Sequence, residues 1–367
     1  MKMILARLSI LVAALFPSAQ LFSQVQRFAV AGGGYSQPAP VVVAPGQLIT
    51  VYPGIGNLTA PVQASKLPLP STLGGIYATI TSMDNYGVTN TIPVPVASAF
   101  PYLFGCPFIG GAITTTLCSS GTGITVQIPY ELTPPLGGVL KSSGLVLSFS
   151  TSLAPPTSVA QIGITLQSDA IHIVRIGDTL TNPTDQHGSS GFTQGLLPPA
   201  IIHADGSIVS ASNPAKIGET ISIWAVGLGL PSSGSVATGA ANPSPPLTTK
   251  VNVDFDFRPN AGPSMPWSGS SSPGDSHVPA TSVPAYFAPG YVGLYQINVT
   301  IPAAPVALQP CGGVYQSNAT VNIGGQASFD GAGICVAQSW SRFVNVGNRP
   351  PGYMARLTLT PPLVVST

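Results

Sequence analysis

The chain has 367 residues, which is long enough for two domains that each bury an apolar core. Only 6% of the residues are charged and the formal net charge is +1, so charge gives no reason to expect nucleic acid or anionic lipid as a partner. Glycine and proline number 41 and 39, a density that opposes long helices and favours many short strands joined by turns.

The N-terminus has the pattern of a secretory signal peptide over residues 1–23. A basic start precedes an apolar run at 8–16, which is too short to cross a bilayer as a helix. Cleavage is predicted between Ala19 and Gln24, followed by an extended leader over 24–40. No later stretch is apolar enough to span a membrane. We therefore expect a secreted protein, extracellular or at the cell surface, with the periplasm as the alternative.

Residues 41–180 are predicted to form a first β-sandwich domain. Several of its segments alternate with the period of two that is typical of half-buried strands. Ile124 and Val126 point one way in the clearest of them, and Gln127 points the other. The polar, turn-rich stretch 181–195 predicts a linker.

Residues 196–367 are predicted to form a second β-sandwich domain. Asp205 and Gly206 lie between two apolar pairs and predict a hairpin, since both residues tolerate positive φ. A long loop rich in Pro, Ser and Gly is predicted over 258–290, and a C-terminal tail follows near the end of the chain. The strand with the clearest alternation has its apolar positions at Tyr295, Ile297, Val299 and Ile301.

The two predicted domains share a sequence pattern that indicates internal duplication. Aligning Gly46 with Gly218 also aligns Ile49 with Ile221 and Tyr52 with Trp224. After one residue of slippage, a second match aligns residues 126–129 with 299–302. Two distant matches at nearly one offset predict that these strands occupy equivalent places in the two domains.

The four cysteines divide evenly between the predicted domains. In an exported chain, this predicts two local disulfides, Cys106–Cys118 and Cys311–Cys335. Each bridge would contribute roughly 3 kcal/mol in the chain-entropy model. The cysteines lack metal-ligand spacing, so we expect no metal site and no cofactor.

Several short motifs resemble an uncharacterised domain found at the C-termini of secreted acidobacterial proteins. The resemblance touches most of residues 41–325 and implies tandem immunoglobulin-like β-sandwiches, but no activity. It is carried by 205–207, 213–215, 218–221, 227–229 and 293–302 in the second half, and by 44–46, 69–75 and 126–131 in the first. The cysteine pairs, the loop 258–290 and the C-terminal tail depart from the family pattern.

Candidate ligand-binding residues lie in the long loop. Trp267 has few local neighbours to bury it, so it is predicted either to stack on a ligand or to fold back and pin its own loop. Asp275 and His277 accompany it in the same stretch. We expect the loop to be exposed and Trp267 to be at least partly accessible.

The acidic and histidine residues give no catalytic pattern. Asp254 and Asp256 share one strand face, which favours a solvated face that resists edge pairing over a glycosidase pair or a calcium site. His203 and Asp205 flank a hairpin, where a local turn contact explains them better than catalysis. The familiar hydrolase signatures are absent from the sequence.

These observations predict a non-catalytic secreted or cell-surface protein for adhesion, surface assembly or ligand binding. Its partner would be an extracellular protein or a glycan. The alternative is an exported carbohydrate-active enzyme or its accessory carbohydrate-binding module.

Overall fold

The computed structural model describes residues 41–53, 55, 58–83, 89–104, 108–109, 112–113, 119–132, 145–151, 159–176, 198–257, 277–304, 308, 317–323 and 329–337. These residues hold twenty β-strands and no helix, which confirms the all-β class. Within them, no helix is long and apolar enough to cross a membrane. The predicted signal peptide, leader, linker and C-terminal tail lie outside the described residues.

Twelve strands form what we call the first unit. They are β1 (Val41–Val43), β2 (Leu48–Val51), β3 (Val62–Gln63), β4 (Thr72–Leu73), β5 (Ile76–Met83), β6 (Thr89–Pro93), β7 (Val96–Phe104), β8 (Phe108–Ile109), β9 (Ala112–Ile113), β10 (Ser119–Gln127), β11 (Leu145–Ser150) and β12 (Val159–Leu166). One sheet has the order β1-β12-β11-β5-β4, with β6 also paired to β5, and a second has the order β2-β10-β7-β3. Strands β8 and β9 pair with each other. The two larger sheets share one apolar core, in which Ile80 and Leu147 of one sheet join Ile49 and Ile124 of the other.

Eight further strands form the second unit. They are β13 (His172–Ile173), β14 (Ile201–Ile202), β15 (Thr220–Val226), β16 (Thr248–Asp256), β17 (His277–Phe287), β18 (Leu294–Thr300), β19 (Ser317–Asn322) and β20 (Phe329–Ile334). They make one sheet of order β13-β15-β18-β17-β16-β19-β20, with β14 also paired to β15. The sheet curls so that its first and last strands meet, since Ile173 N donates to Asp330 Oδ2 at 2.8 Å. It thereby wraps one apolar core.

The alternation predicted for β18 is confirmed. Tyr295, Ile297 and Val299 are buried in the core of the second unit, whereas Gln296 and Asn298 point outward and are half-buried. Because side chains alternate across a strand, the inward and outward sets follow directly from the sequence. The predicted hairpin is also present, since His203 N donates to Ser207 O at 2.8 Å and Gly206 has a φ of 85°.

The strand pair predicted to repeat has the same register in both units. Strand β10 pairs with β2 so that Val126 lies opposite Ile49, and β18 pairs with β15 so that Val299 lies opposite Ile221. The next outward pair also matches in its hydrogen bond: Thr50 and Thr125 hydroxyls lie 2.8 Å apart. At the equivalent place Ser222 Oγ donates to Asn298 Oδ1, also at 2.8 Å.

The order of the equivalent strands is shared as well. In the first unit, β12, β11, β5 and β6 are neighbours in one sheet, and β7, β10 and β2 are neighbours in the other. The chain passes from β6 directly to β7 and so joins the two series. The second unit follows the same order through β20, β19, β16, β17, β18 and β15. The units differ because β6 and β7 are split between two sheets, whereas β17 is continuous and pairs with both of its neighbours. The immunoglobulin-like topology stays a prediction.

The predicted domain boundary is too late in the chain. The first domain was expected to extend to residue 180, but β13 pairs with β15 of the second unit. Ile171 and Ile173 enter the core of the second unit, which explains why this apolar run leaves the first.

The predicted loop 258–290 is wrong in its C-terminal part, where residues 277–287 form β17. Its prolines suggested a loop because a proline cannot donate a ladder hydrogen bond. Strand β18 pairs only with Ala285–Phe287, so Pro279 and Pro284 lie where one edge of β17 has no ladder partner among the described strands. The expectation that Asp254 and Asp256 protect a sheet edge is also wrong, since β16 lies between β17 and β19.

The two units contact each other closely. Tyr130 is 5% exposed and belongs to the core of the second unit, although it follows β10 of the first. Gln127 Oε1 accepts from Gly239 N at 2.6 Å, and Gln47 Nε2 donates to Ala170 O at 2.9 Å. Gln127 was predicted to face away from the core of the first unit. It is nevertheless fully buried because the second unit covers that face.

Candidate binding face

Two aromatic side chains flank an amide on the outer face of the second unit. Trp224 on β15 lies opposite Gln296 on β18, which in turn lies opposite Tyr286 on β17. All three point away from the core, because their sequence neighbours Ile223, Ala225, Ala285, Phe287, Tyr295 and Ile297 are buried. The row itself is half-buried, so its side chains are packed at their base and accessible to a ligand from outside.

Hydrogen bonds between side chains order the polar part of this face. Gln296 Nε2 donates to Ser222 Oγ at 3.1 Å and to Asn298 Oδ1 at 3.0 Å. Ser222 Oγ also donates to Asn298 Oδ1. This network directs the Gln296 amide nitrogen to Ser222 and Asn298 and so fixes the orientation of the amide.

A third aromatic ring stands beside Trp224. Tyr291 is 59% exposed, and its ring centroid lies 6.4 Å from that of Trp224. The turn that carries it is anchored by the buried Asn242, whose backbone N donates to Tyr291 O at 2.7 Å and whose side chain donates to Leu294 O at 2.9 Å. We call Ser222, Trp224, Tyr286, Tyr291, Gln296 and Asn298 the Trp224 face.

The first unit has a closed counterpart of the same row. Gly123 on β10 lies opposite Phe100 on β7, in the place that Gln296 and Tyr286 have in the second unit. Tyr52 takes the place of Trp224. The rings of Tyr52 and Phe100 meet edge to face at 5.9 Å and are 7% and 1% exposed.

Glycine is what allows that closure. A Cβ on Gly123 would stand 2.5 Å from Phe100 Cζ, much closer than real contacts allow. The second unit carries a glutamine where the first carries this glycine. Its backbone lies between the two aromatic positions, its amide is hydrogen-bonded to Ser222 and Asn298, and Trp224 and Tyr286 stay half-buried rather than buried. Equivalent strands thus carry a packed cluster in one unit and an open face in the other.

The Trp224 face consists of neutral side chains. The outward Lys250 lies on β16, opposite Pro284 rather than in the Trp224 row. A flat array of aromatic rings, amides and hydroxyls can stack on an apolar ligand surface and exchange hydrogen bonds with hydroxyl groups. It lacks the cations that a carboxylate or phosphate ligand would require.

The ligand-binding residues predicted from sequence lie elsewhere. Trp267 and Asp275 fall outside the described residues, so their exposure stays a prediction. His277 is the first residue of β17 and lies opposite Asp256. In the sequence, Trp224 is distinguished only by its alignment with Tyr52. The alignment of Gly123 with Gln296, which follows from the same second offset, was the signal that could have identified the open row.

His203 is paired with a carboxylate. Its Nδ1 lies 2.5 Å from Glu219 Oε1 and its Nε2 lies 3.1 Å from Asn213 O. Burial acts to lower the pKa of His203, but the Glu219 hydrogen bond and charge outweigh it and raise that pKa. Asp205 makes a local turn contact, since it accepts from Ser207 N at 2.9 Å, and the His203 backbone N donates to Ser207 O in the same turn.

A buried polar cluster joins the first and last strands of the second unit. Arg175 is 2% exposed, and its Nη2 donates to Gly331 O at 2.9 Å and lies 3.4 Å from Asp330 Oδ1. His172 Nδ1 lies 3.4 Å from Asp330 Oδ2. Because Asp330 also accepts from two backbone N–H groups, the cluster is suited to closing the sheet.

The described part of the chain contains one of the four cysteines, Cys335. Cys335 is fully buried and its sulfur is disulfide-bonded. Cys106, Cys118 and Cys311 lie outside the described residues, so both predicted pairings stay predictions. No group of three or more His, Cys, Asp or Glu side chains that could hold a metal is present among the described residues.

Comparison of the chain with protein-family models, with curated proteins and with solved structures finds no match. The resemblance to the C-terminal domain of secreted acidobacterial proteins stays a prediction.

Proposed function

We propose that this is a non-catalytic secreted or cell-surface protein for adhesion, surface assembly or ligand binding, and that the Trp224 face is where it binds. One observation carries the proposal: Trp224 and Tyr286 flank Gln296 on an outer sheet face, whereas the equivalent rings of the first unit are buried against each other. Tryptophan and tyrosine anchors dominate binding energies when a partner covers them.

The remaining features of the proposal come from the sequence. Residues 1–23 direct export, and Cys106–Cys118 and Cys311–Cys335 form one local disulfide in each half. The shared register of β2 with β10 and of β15 with β18 supports an internal duplication of an immunoglobulin-like unit. The low charge of the chain favours a protein or glycan partner over nucleic acid.

The binding proposal is tested with the full-length chain, exported from a bacterial host and fluorescently labelled. It is applied to a glycan array and to immobilised bacterial cell-envelope material. We expect Trp224→Ala to reduce the bound signal at least about tenfold, a loss of roughly 1.4 kcal/mol. The matched control is Tyr77→Ala, because Tyr77 is a half-buried aromatic on an outer strand face of the first unit. Equal binding by the two variants would refute the proposed site.

Export and the disulfides have separate tests. N-terminal sequencing of the exported chain should find a new start between residues 20 and 24. Peptide mapping without reduction should recover Cys106 joined to Cys118 and Cys311 joined to Cys335. A bridge between the two halves, or free thiols in native material, would refute the local pairing.

A further inference from the structure

We propose that the ligand of the Trp224 face is an uncharged polysaccharide chain laid across β15, β18 and β17. This inference rests on the proposed function, because it names the ligand class for the same face. It is carried by the spacing of the strands that bear Trp224 and Tyr286, by the chemistry of the polar side chains beside them and by the absence of charge in the row.

The spacing of Trp224 and Tyr286 suits two sugar residues of one chain. The two residues lie on strands separated by β18, so their backbones are two strand spacings apart, about 10 Å. That is roughly the length of a disaccharide in an extended polysaccharide. A pyranose ring presents an apolar face of C–H groups, which an aromatic ring covers by stacking.

The amides supply the hydrogen bonds that sugar hydroxyls need. Gln296 Nε2 is engaged by Ser222 and Asn298. Its Oε1 and the Asn298 Nδ2 have no partner within the described part of the chain and remain for a ligand. A hydroxyl both donates and accepts, so it can satisfy either group.

A protein partner suits this face less well. The centre of a protein interface is usually a dry, well-packed apolar pocket. Here the centre of the row is an amide already tied into a polar network, and covering it with apolar groups would leave polar atoms unpaired. A charged polymer is disfavoured because the row carries no cation.

The experiment is electrophoresis of the full-length chain through native gels that contain one polysaccharide each. The probes are hydroxyethylcellulose and glucomannan as uncharged, extended β-linked polymers, dextran as an uncharged flexible polymer, and alginate as a polyanion. We expect retardation by hydroxyethylcellulose or glucomannan, and at least about tenfold weaker retardation for Trp224→Ala and for Tyr286→Ala. Tyr77→Ala should behave as the parent chain, and Trp224→Phe should keep part of the retardation because it keeps a ring.

The variants are first compared by thermal midpoint, so that a loss of retardation is separated from a loss of folding. If Trp224→Ala does not fold, the result with Tyr286→Ala decides. Retardation by alginate alone, no retardation by any uncharged polymer, or retardation that both alanine variants retain would overturn the polysaccharide inference. If cell-envelope binding still depends on Trp224 in such a case, the proposed function stands. If that binding is also indifferent to Trp224, both fail.

Discussion

Gly46 and Gly218 occupy the same position in the two units, and each donates its N–H to an isoleucine carbonyl, Ile128 O or Ile301 O, at 2.8 Å. Both have positive φ, 76° and 82°. Their surroundings differ. A Cβ on Gly46 would stand 2.0 Å from the ring of Tyr130, whereas a Cβ on Gly218 would meet nothing within 4 Å. The turn at Gly46 is therefore covered by the ring of Tyr130, which extends into the core of the second unit, whereas the equivalent turn at Gly218 has open space beside it.

This difference predicts unequal costs for one substitution. Gly218→Ala should lower the free energy of unfolding by roughly 1–2 kcal/mol, the cost of a left-handed conformation for an L-residue. Gly46→Ala should cost a further 1–3 kcal/mol or so, because it must displace a buried ring. Chemical denaturation of the two variants measures the difference, and equal costs would contradict the contact between Gly46 and Tyr130.

Local patterns in the sequence predict much of this fold. The alternation of β18 identifies its inward and outward residues without any knowledge of the rest of the chain. The offset between residues 46 and 218 predicts that β2 and β15 occupy equivalent places in the two units, as do β10 and β18. The alternation depends only on neighbours along one strand, and the repeat is found by comparing the chain with itself, which explains why both are readable from sequence.

The errors arise where distant packing decides. The first domain was predicted to include Ile171 and Ile173, but their place depends on which unit offers a strand edge to pair with. The candidate site could not be predicted for the same reason, since distant strands bring its residues together. Trp224 is unremarkable along the chain, and it becomes a candidate only beside Gln296 and Tyr286, which come from later strands.

The contact between the units predicts a loss of stability in alkali. Burial raises the pKa of Tyr130 from 10.0 to about 12, although the neighbouring Tyr295 acts to lower it. Burial raises the pKa of Tyr295 as well. The folded chain then holds these protons more tightly than the unfolded chain does. Its free energy of unfolding is retained below pH 10 and falls as the pH rises towards 12, by about 3 kcal/mol for a shift of this size.

Tyr130→Phe tests this source of alkaline sensitivity, since phenylalanine has no proton to lose. Between pH 9 and 11 or so, the free energy of unfolding should fall less steeply for Tyr130→Phe than for the parent chain. Tyr77→Phe, at an outer strand face, is the control. If Tyr130→Phe follows the parent curve, the buried hydroxyl of Tyr130 is not responsible.

His203 and Glu219 should stabilise the hairpin in mildly acidic solution. The pKa of His203 is raised and that of Glu219 is lowered by their pairing, each against the effect of burial. The contribution of His203 to the free energy of unfolding is fully present below the unfolded pKa of 6.5. It is lost as the pH rises through the higher pKa of the folded chain. The contribution of Glu219 to the free energy of unfolding is present above pH 4.5, its unfolded pKa, and is lost as the pH falls through the lower pKa of the folded chain. The destabilisation caused by His203→Gln should therefore be largest between these two values, as measured by denaturation at several pH values. A pH-independent effect would show that the ion pair is not its cause.

Asp330 should be one of the most costly single residues to remove from the second unit. Its carboxylate accepts from Ile173 N and from Gly331 N at 2.8 Å and faces the buried Arg175. Asp330→Ala removes the carboxylate that faces that buried guanidinium and leaves the two backbone N–H groups without this acceptor, which should cost about 3–5 kcal/mol. Asp205→Ala, which removes an exposed turn acceptor, should cost much less, because water replaces the lost interaction. Denaturation curves that rank the two variants in the opposite order would contradict a closing role for Asp330.

The closed and open rows predict opposite effects of exchanging glycine and glutamine. Gly123→Gln places a side chain 2.5 Å from the nearly inaccessible ring of Phe100, so it should lower the free energy of unfolding by at least about 1–3 kcal/mol. Gln296→Gly removes the side chain of the residue that lies between Trp224 and Tyr286, at a cost of about 0.5–1 kcal/mol for glycine in a strand. Without that side chain, the rings should close as Tyr52 and Phe100 do. Acrylamide should then quench Trp224 fluorescence less, where the Trp224 signal is the part of the fluorescence that Trp224→Phe removes, because the chain has three tryptophans. Binding at this face should fall in Gln296→Gly, whereas Gln296→Asn, which keeps an amide, should retain most of it. Unchanged quenching and binding in Gln296→Gly would show that the glutamine does not hold the face open.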